Sequence, residues 1–279
     1  MLPNLIVIGA ARCGTTSLHR YLDLHADIAM SAEKEVNFFS FDAQWQRGVS
    51  WYERQFRSGT LVRGESSPSY SAYPKSPDVP ARMVRVIPDA RLIYLVRDPI
   101  ERIVSAYRFA RFVLRNETRE LTEAVRDFEA SRYVMGSRYG LQLEQYFAYY
   151  PPERVLVIEQ SDLLYRRVQT MRLVFGFAGV DEGFTAVELS REHNPTEGLR
   201  ANRAGRGAIA VLNRVLGPSR AAALRARVPL SLVRPLLQAP SAPQVQLDPS
   251  LREELEDYLA EDANRLRRLT GRQFETWSV

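Results

Sequence analysis

The sequence predicts an α/β fold of three layers, with a central parallel sheet flanked by helices. Three observations predict it. Short apolar runs rich in Ile, Val and Leu alternate with helix-spaced segments along the chain. The first run passes through a glycine turn straight into a helical pattern. The composition, 45% hydrophobic and 25% charged with 15 Gly and 16 Pro, supplies a sizeable core and excludes a collagen-like, low-complexity or disordered chain. The 279 residues read as a single domain, 1–279, in which 195–248, rich in Arg, Ala and Pro, is a less regular helical or looped segment.

Each element has its own signal. Asn4-Leu-Ile-Val-Ile-Gly9 is a continuous apolar run closed by glycine, as in a strand buried on both faces. Ala10 to Thr16 is a turn of mostly small residues, and Ser17-Leu-His-Arg-Tyr-Leu22 opens a helix with hydroxyl residues at its start. Further strands are expected at Leu61–Glu65, Arg91–Val96 and Arg154–Ile158. Between them Pro99 begins a helix, where proline is tolerated in the first turn, and Ile103, Tyr107 and Ala110 continue its apolar face. Leu141, Gln145 and Ala148 belong to another, halted by Pro151-Pro152. Leu251 to Leu269 is amphipathic, with Asp248-Pro249 at its start and Gly271 at its end.

Composition narrows the function classes. Only Lys34 and Lys75 are lysines, so 36 of the 38 basic residues are arginines, and they are scattered. A net charge of +5 without a basic arm suits an enzyme for anionic substrates better than a nucleic-acid binder. A single cysteine, Cys13, excludes an intrachain disulfide and a multi-thiolate metal site. No run approaches the ~20 apolar residues of a membrane helix. Leu5–Ala11 follows Met1 without the basic region of a signal peptide, so the expectation is a soluble, cytoplasmic protein.

Two segments carry chemistry. Gly9-Ala-Ala-Arg12-Cys13-Gly14-Thr15-Thr16-Ser17 lies between strand and helix. Its glycines let the backbone curl around an anion, the helix start offers free N–H groups, and Arg12 adds a cation, as in a phosphate-binding loop. The nucleotide-triphosphatase version has lysine after its second glycine, where this chain has Thr15. That weakens the rival reading as an ATP-dependent P-loop kinase. The second segment, Arg97-Asp-Pro-Ile-Glu-Arg102-Ile-Val-Ser105-Ala-Tyr107, follows a strand. Arg97 emerges at the strand end where parallel sheets bind ligands, and with Ser105 it forms a guanidinium–hydroxyl clasp for one phosphate.

Together these segments resemble the sulfotransferases that use 3′-phosphoadenosine 5′-phosphosulfate (PAPS). The similarity extends through Glu33-Lys34-Glu35-Val36-Asn37-Phe38-Phe39, Gly64-Glu65-Ser66-Ser67-Pro68-Ser69-Tyr70, Gly136-Ser-Arg-Tyr139 and the pattern Leu251 to Trp277. It is closest to the carbohydrate, heparan-sulfate type branch. The resemblance implies a P-loop-type fold, PAPS as donor without a metal, and transfer to a hydroxyl or amine of a saccharide, glycolipid or small-molecule acceptor. It implies that Arg12, Cys13, Gly14, Thr15, Thr16 and Ser17 hold the 5′-phosphosulfate, with Arg12 in place of the family's loop lysine. Arg97 and Ser105 then take the 3′-phosphate, Tyr139 lies near nucleotide or acceptor, and Arg200 and Arg203 close over the 3′-phosphate. Glu65, at the expected end of a strand, is the candidate general base, and Lys34 a point contact to a sulfuryl oxygen or an acidic acceptor. His19 and His25 are expected in packing or surface roles rather than catalysis, and His193 falls in a loop.

Overall fold

Among the residues that this computed structural model describes, 1–190 and 245–279, five parallel strands make one sheet. They are β1 (Leu5–Gly9), β2 (Ile28–Met30), β3 (Val62–Ser66), β4 (Arg91–Val96) and β5 (Val155–Glu159), in spatial order β2-β3-β1-β4-β5. Leu5, Ile6, Val7 and Ile8 are wholly buried, as the unbroken apolar run of a central strand requires. After β1 the chain runs out to β2 and returns through β3, then crosses to β4 and β5 on the other side. The carboxyl ends of β1 and β4 therefore flank the point at which the winding reverses, where open parallel sheets form their ligand crevice.

The helices are α1 (Thr15–Leu22), α2 (Asp42–Trp45), α3 (Val49–Glu53), α4 (Val79–Val86), α5 (Pro99–Arg108), α6 (Leu121–Val125), α7 (Arg132–Met135), α8 (Tyr139–Phe147), α9 (Gln160–Tyr165), α10 (Arg167–Ala178), α11 (Val187–Ser190) and α12 (Pro249–Thr270). A 3₁₀ turn spans Pro68–Tyr70, and α5 continues as a π-helical stretch, Phe109–Leu114. None of the described helices is long and apolar enough to cross a membrane.

Two helix starts matter for the site. Asp98 caps α5: one carboxylate oxygen accepts the Glu101 N–H at 2.8 Å and the other accepts the Ser278 N–H at 2.7 Å. The N–H groups of Gly140 and Leu141, at the start of α8, are taken by the two oxygens of Asp262 on α12, each at 2.8 Å. Gly140 is required there, because a β-carbon would lie 2.6 Å from the Asp262 backbone oxygen.

The expected strands and the four expected helices are present, with β3 and β5 each displaced one residue towards the carboxyl end. The strand β2 and most of the shorter helices carry no signal in the sequence. The irregular segment expected at 195–248 lies almost wholly outside the described residues.

Candidate active site

The loop after β1 is built for an anion. α1 begins on Gly14, whose φ of 95° is in the left-handed region, and no side chain caps it. Its first N–H groups are thus left for an external acceptor, in the field of the helix amino terminus. Thr16 is exposed, Ser17 half-buried and Thr15 buried. Arg12, itself left-handed at φ 74°, projects from the loop. Its guanidinium lies over the Phe109 ring, 4.4 Å from the centroid, and its Nε donates to Ser105 Oγ at 3.4 Å. The two sequence segments therefore meet.

On the β4 side, Arg97 leaves the strand and donates from Nε and Nη2 to Glu101 Oε2, at 2.9 and 2.7 Å. Arg102, one turn along α5, is buried under the loop. It donates from Nε to Ala11 O at 3.1 Å and from Nη1 to Tyr133 O at 2.9 Å. Gly136 makes room for it, since a β-carbon there would lie 2.5 Å from Arg102 Nη1. The electrostatics of Cys13 register this convergence. Burial raises its thiol above the ordinary value, while the Tyr139 hydroxyl and the guanidinium groups of Arg102, Arg97 and Arg12 pull it down.

The carboxylates lie at the carboxyl end of β3, next to β1. Register places Glu65 opposite Ile6, three residues short of the end of β1, so Glu65 sits inside the sheet rather than on its rim. It is wholly buried and accepts hydrogen bonds from Tyr52 Oη, from Ser67 Oγ at 2.5 Å and from Tyr70 Oη at 2.7 Å. Burial raises its carboxyl pKa, and the hydrogen bonds from Ser67, Tyr52 and Tyr70 oppose that rise. Glu65, expected as the general base, thus faces no solvent, and both its oxygens are engaged. The accessible carboxylate here is Glu35, half exposed at φ 69°, whose N–H is held by Ser66 O at 3.0 Å. Lys34 Nζ pairs with Glu35 Oε1 at 2.5 Å, and its charge helps lower the His19 pKa after burial of the ring, so both lie close to α1.

The geometry thus brings Arg12, in the loop that leads to Gly14, Thr15, Thr16 and Ser17, onto Ser105, with Arg97 following the carboxyl end of β4 and Lys34 beside α1. It sets Cys13 and Tyr139 beneath the loop. Tyr139 is buried, in contact through Oη with Cys13 Sγ at 3.4 Å and packed between Tyr94 and Trp277. Tyr139 thus supports the loop from beneath, and the Cys13 side chain is buried with it. Sequence reasoning missed Arg102 and Glu35, although both stood in quoted motifs. An arginine sharing the buried side of α5 with Ile103 was the available signal for the first. His19 packs with Nδ1 3.0 Å from Ser66 Oγ, and His25 packs between Phe175 and Phe184. Arg200, Arg203 and His193 lie outside the described residues.

Comparison with known proteins agrees with this fold. The family model described as "Sulfotransferase domain" matches residues 2–204. A membrane-associated sulfotransferase, kil1, of Dictyostelium discoideum is 37% identical over 114 residues, which is 39% of this chain and 23% of the relative. Human heparan sulfate glucosamine 3-O-sulfotransferase 5 is 25% identical over 193 residues, covering 63% of this chain and 53% of that protein. The chain thus spans about a quarter to a half of the curated relatives it matches. A solved sulfotransferase from Alicyclobacillus acidocaldarius shares the fold over 100% of both chains, with a TM-score of 0.71 and 24% identity.

Proposed function

Given that the chain belongs to the sulfotransferase domain family, we propose that it moves a sulfuryl group from PAPS to a hydroxyl or amine of a saccharide, glycolipid or small-molecule acceptor. The observation that carries this reading is the contact of Arg12 with Ser105 beside the uncapped start of α1, which joins the two motifs. When bound, PAPS supplies a sulfuryl group already attached to a good phosphate leaving group.

The chain's own residues do the rest. The N–H groups of Gly14, Thr15 and Thr16 and the Arg12 guanidinium hold the 5′-phosphosulfate, and they face the oxygen on which charge builds as the sulfur–oxygen bond breaks. The Phe109 ring keeps the planar Arg12 group in one orientation, which a lysine would not need. Arg97 and Ser105 bind the 3′-phosphate and select this donor over ordinary nucleotides. Glu35 takes the acceptor's proton as the new sulfur–oxygen or sulfur–nitrogen bond forms, and Lys34 contacts a sulfuryl oxygen or an acidic group of the acceptor. The heparan sulfate relatives favour a saccharide among the acceptor classes.

Calorimetry with adenosine 3′,5′-bisphosphate and with ATP plus magnesium tests the donor site. Tighter binding of the bisphosphate is expected, and the reverse order would return the chain to the kinase reading. A PAPS assay against pooled glycans, lipids and small molecules then identifies the acceptor.

A further inference from the structure

Glu65 is a wholly buried carboxylate left without a role once Glu35 is the base. A carboxylate can only accept hydrogen bonds, so the hydroxyl hydrogens of Tyr52, Ser67 and Tyr70 all point at it. A hydroxyl has a single hydrogen. With that hydrogen committed to Glu65, the lone pairs of Ser67 and Tyr70 are turned outward. Ser67 Oγ there accepts the Asn37 N–H at 3.0 Å, and Tyr70 Oη accepts the Phe39 N–H at 3.4 Å. Both N–H groups belong to the segment that carries Lys34 and Glu35.

That segment needs outside support. Glu35 and Asn37 are left-handed, at φ 69° and 55°, a conformation that side-chain-bearing residues hold only when their surroundings enforce it. Asn37 Nδ2 donates to Glu35 O at 2.6 Å, and Ser69 Oγ donates to Asn37 Oδ1 at 2.5 Å. Phe38 stacks on the Tyr52 ring at 4.3 Å, and Phe39 meets the Tyr70 ring at 5.5 Å. The same two tyrosines that bind Glu65 thus anchor the segment by their rings.

We propose that Glu65 is a positioning residue, which through the Ser67 and Tyr70 hydroxyls fixes segment 35–39 and so aims the Glu35 carboxylate. This rests on Glu35 as the base. Ser67 and Tyr70 both donate to Oε1, and only Tyr52 donates to Oε2. A glutamine that keeps its oxygen at the Oε1 place therefore preserves both relays, whereas leucine removes them.

Four variants test it: E65Q, E65L, S67A and Y70F. Two readouts are used, amide hydrogen exchange in 35–39 and release of adenosine 3′,5′-bisphosphate from PAPS with water as acceptor. E65Q is expected to exchange as the parent does and to keep kcat within about tenfold, with the acid limb of its pH profile in place. E65L should exchange faster in 35–39 and lose about 10²-fold in kcat at unchanged KM for PAPS, the cost of an ångström-scale misplacement. S67A and Y70F should each show part of both effects. If E65L fails to fold, these two carry the test alone. Loss of the acid limb in E65Q would make Glu65 itself the base and overturn the proposal. Parent-like exchange and kcat in S67A and Y70F would overturn it too. Failure of the parent to release the bisphosphate, or full activity in E35Q, would count against the function reading, while the exchange data still decide the positioning role.

Discussion

Glu35 and Glu65 are the same amino acid on opposite sides of a burial boundary, and burial decides what each can do. E35Q removes the carboxylate proposed as proton acceptor without changing volume. Turnover is expected to fall by roughly 10²–10⁴-fold, with binding of adenosine 3′,5′-bisphosphate retained in calorimetry. Arg97 offers a second test. Its Nε and Nη2 both rest on Glu101, which occupies the guanidinium edge that a 3′-phosphate needs. E101Q should tighten bisphosphate binding several-fold, and R97A should weaken it. At this scale the sequence was readable where a motif is made of backbone and small residues: Gly14 to Ser17 lie where their spacing put them. It did not show the burial of Glu65, because strand register and not residue type determines whether a strand-end carboxylate reaches the rim.

Elements long enough to show a period were legible, and those held only by tertiary contacts were not. In α12, Leu251, Leu255, Leu259 and Leu266 are buried at the expected spacing, with the Asp248 carboxylate accepting from Ser250 and Leu251 at its start. The strand β2 has three residues and α2 and α7 four each, too few for any period to emerge. α10 does bury a helical stripe, Thr170, Met171, Val174, Phe175 and Ala178, but exposed Leu173 and half-buried Phe177 blur it. The contact between α8 and α12 depends on Asp262 as a double acceptor. In D262N one amide N–H would face a backbone N–H, and a loss of about 1–3 kcal/mol in denaturant unfolding is expected.

For the molecule as a whole, acid stability is divided among buried carboxylates of opposite tendency. Glu117 accepts from Arg119 and from Tyr133 Oη, and the Arg119 hydrogen bond above all holds its pKa at about 2, below the ordinary 4.5. A depressed folded pKa contributes stability above pH 4.5 that is lost as pH falls towards 2. Glu65 and Asp262, raised by burial, act in the opposite sense, costing stability as pH rises past their ordinary values. Melting temperature followed from pH 6 to pH 2 (roughly the window in which carboxylates titrate) should fall less steeply in E117Q than in the parent. The sheet and the uncapped turn after β1 were legible in the sequence because they follow from strand order and glycine turns. The aromatic and hydroxyl cluster around Glu65 was not, because α3, β3 and the 3₁₀ turn meet only in three dimensions.

The last residues of the chain reach back towards the carboxyl ends of β1 and β4. Ser278 gives its N–H to Asp98, Trp277 donates from Nε1 to Glu159 at 3.1 Å, and the Trp277 ring packs on Tyr139 under Cys13. Disturbing residues 277 and 278 should therefore be felt first as weaker binding of adenosine 3′,5′-bisphosphate in calorimetry, well before the protein melts.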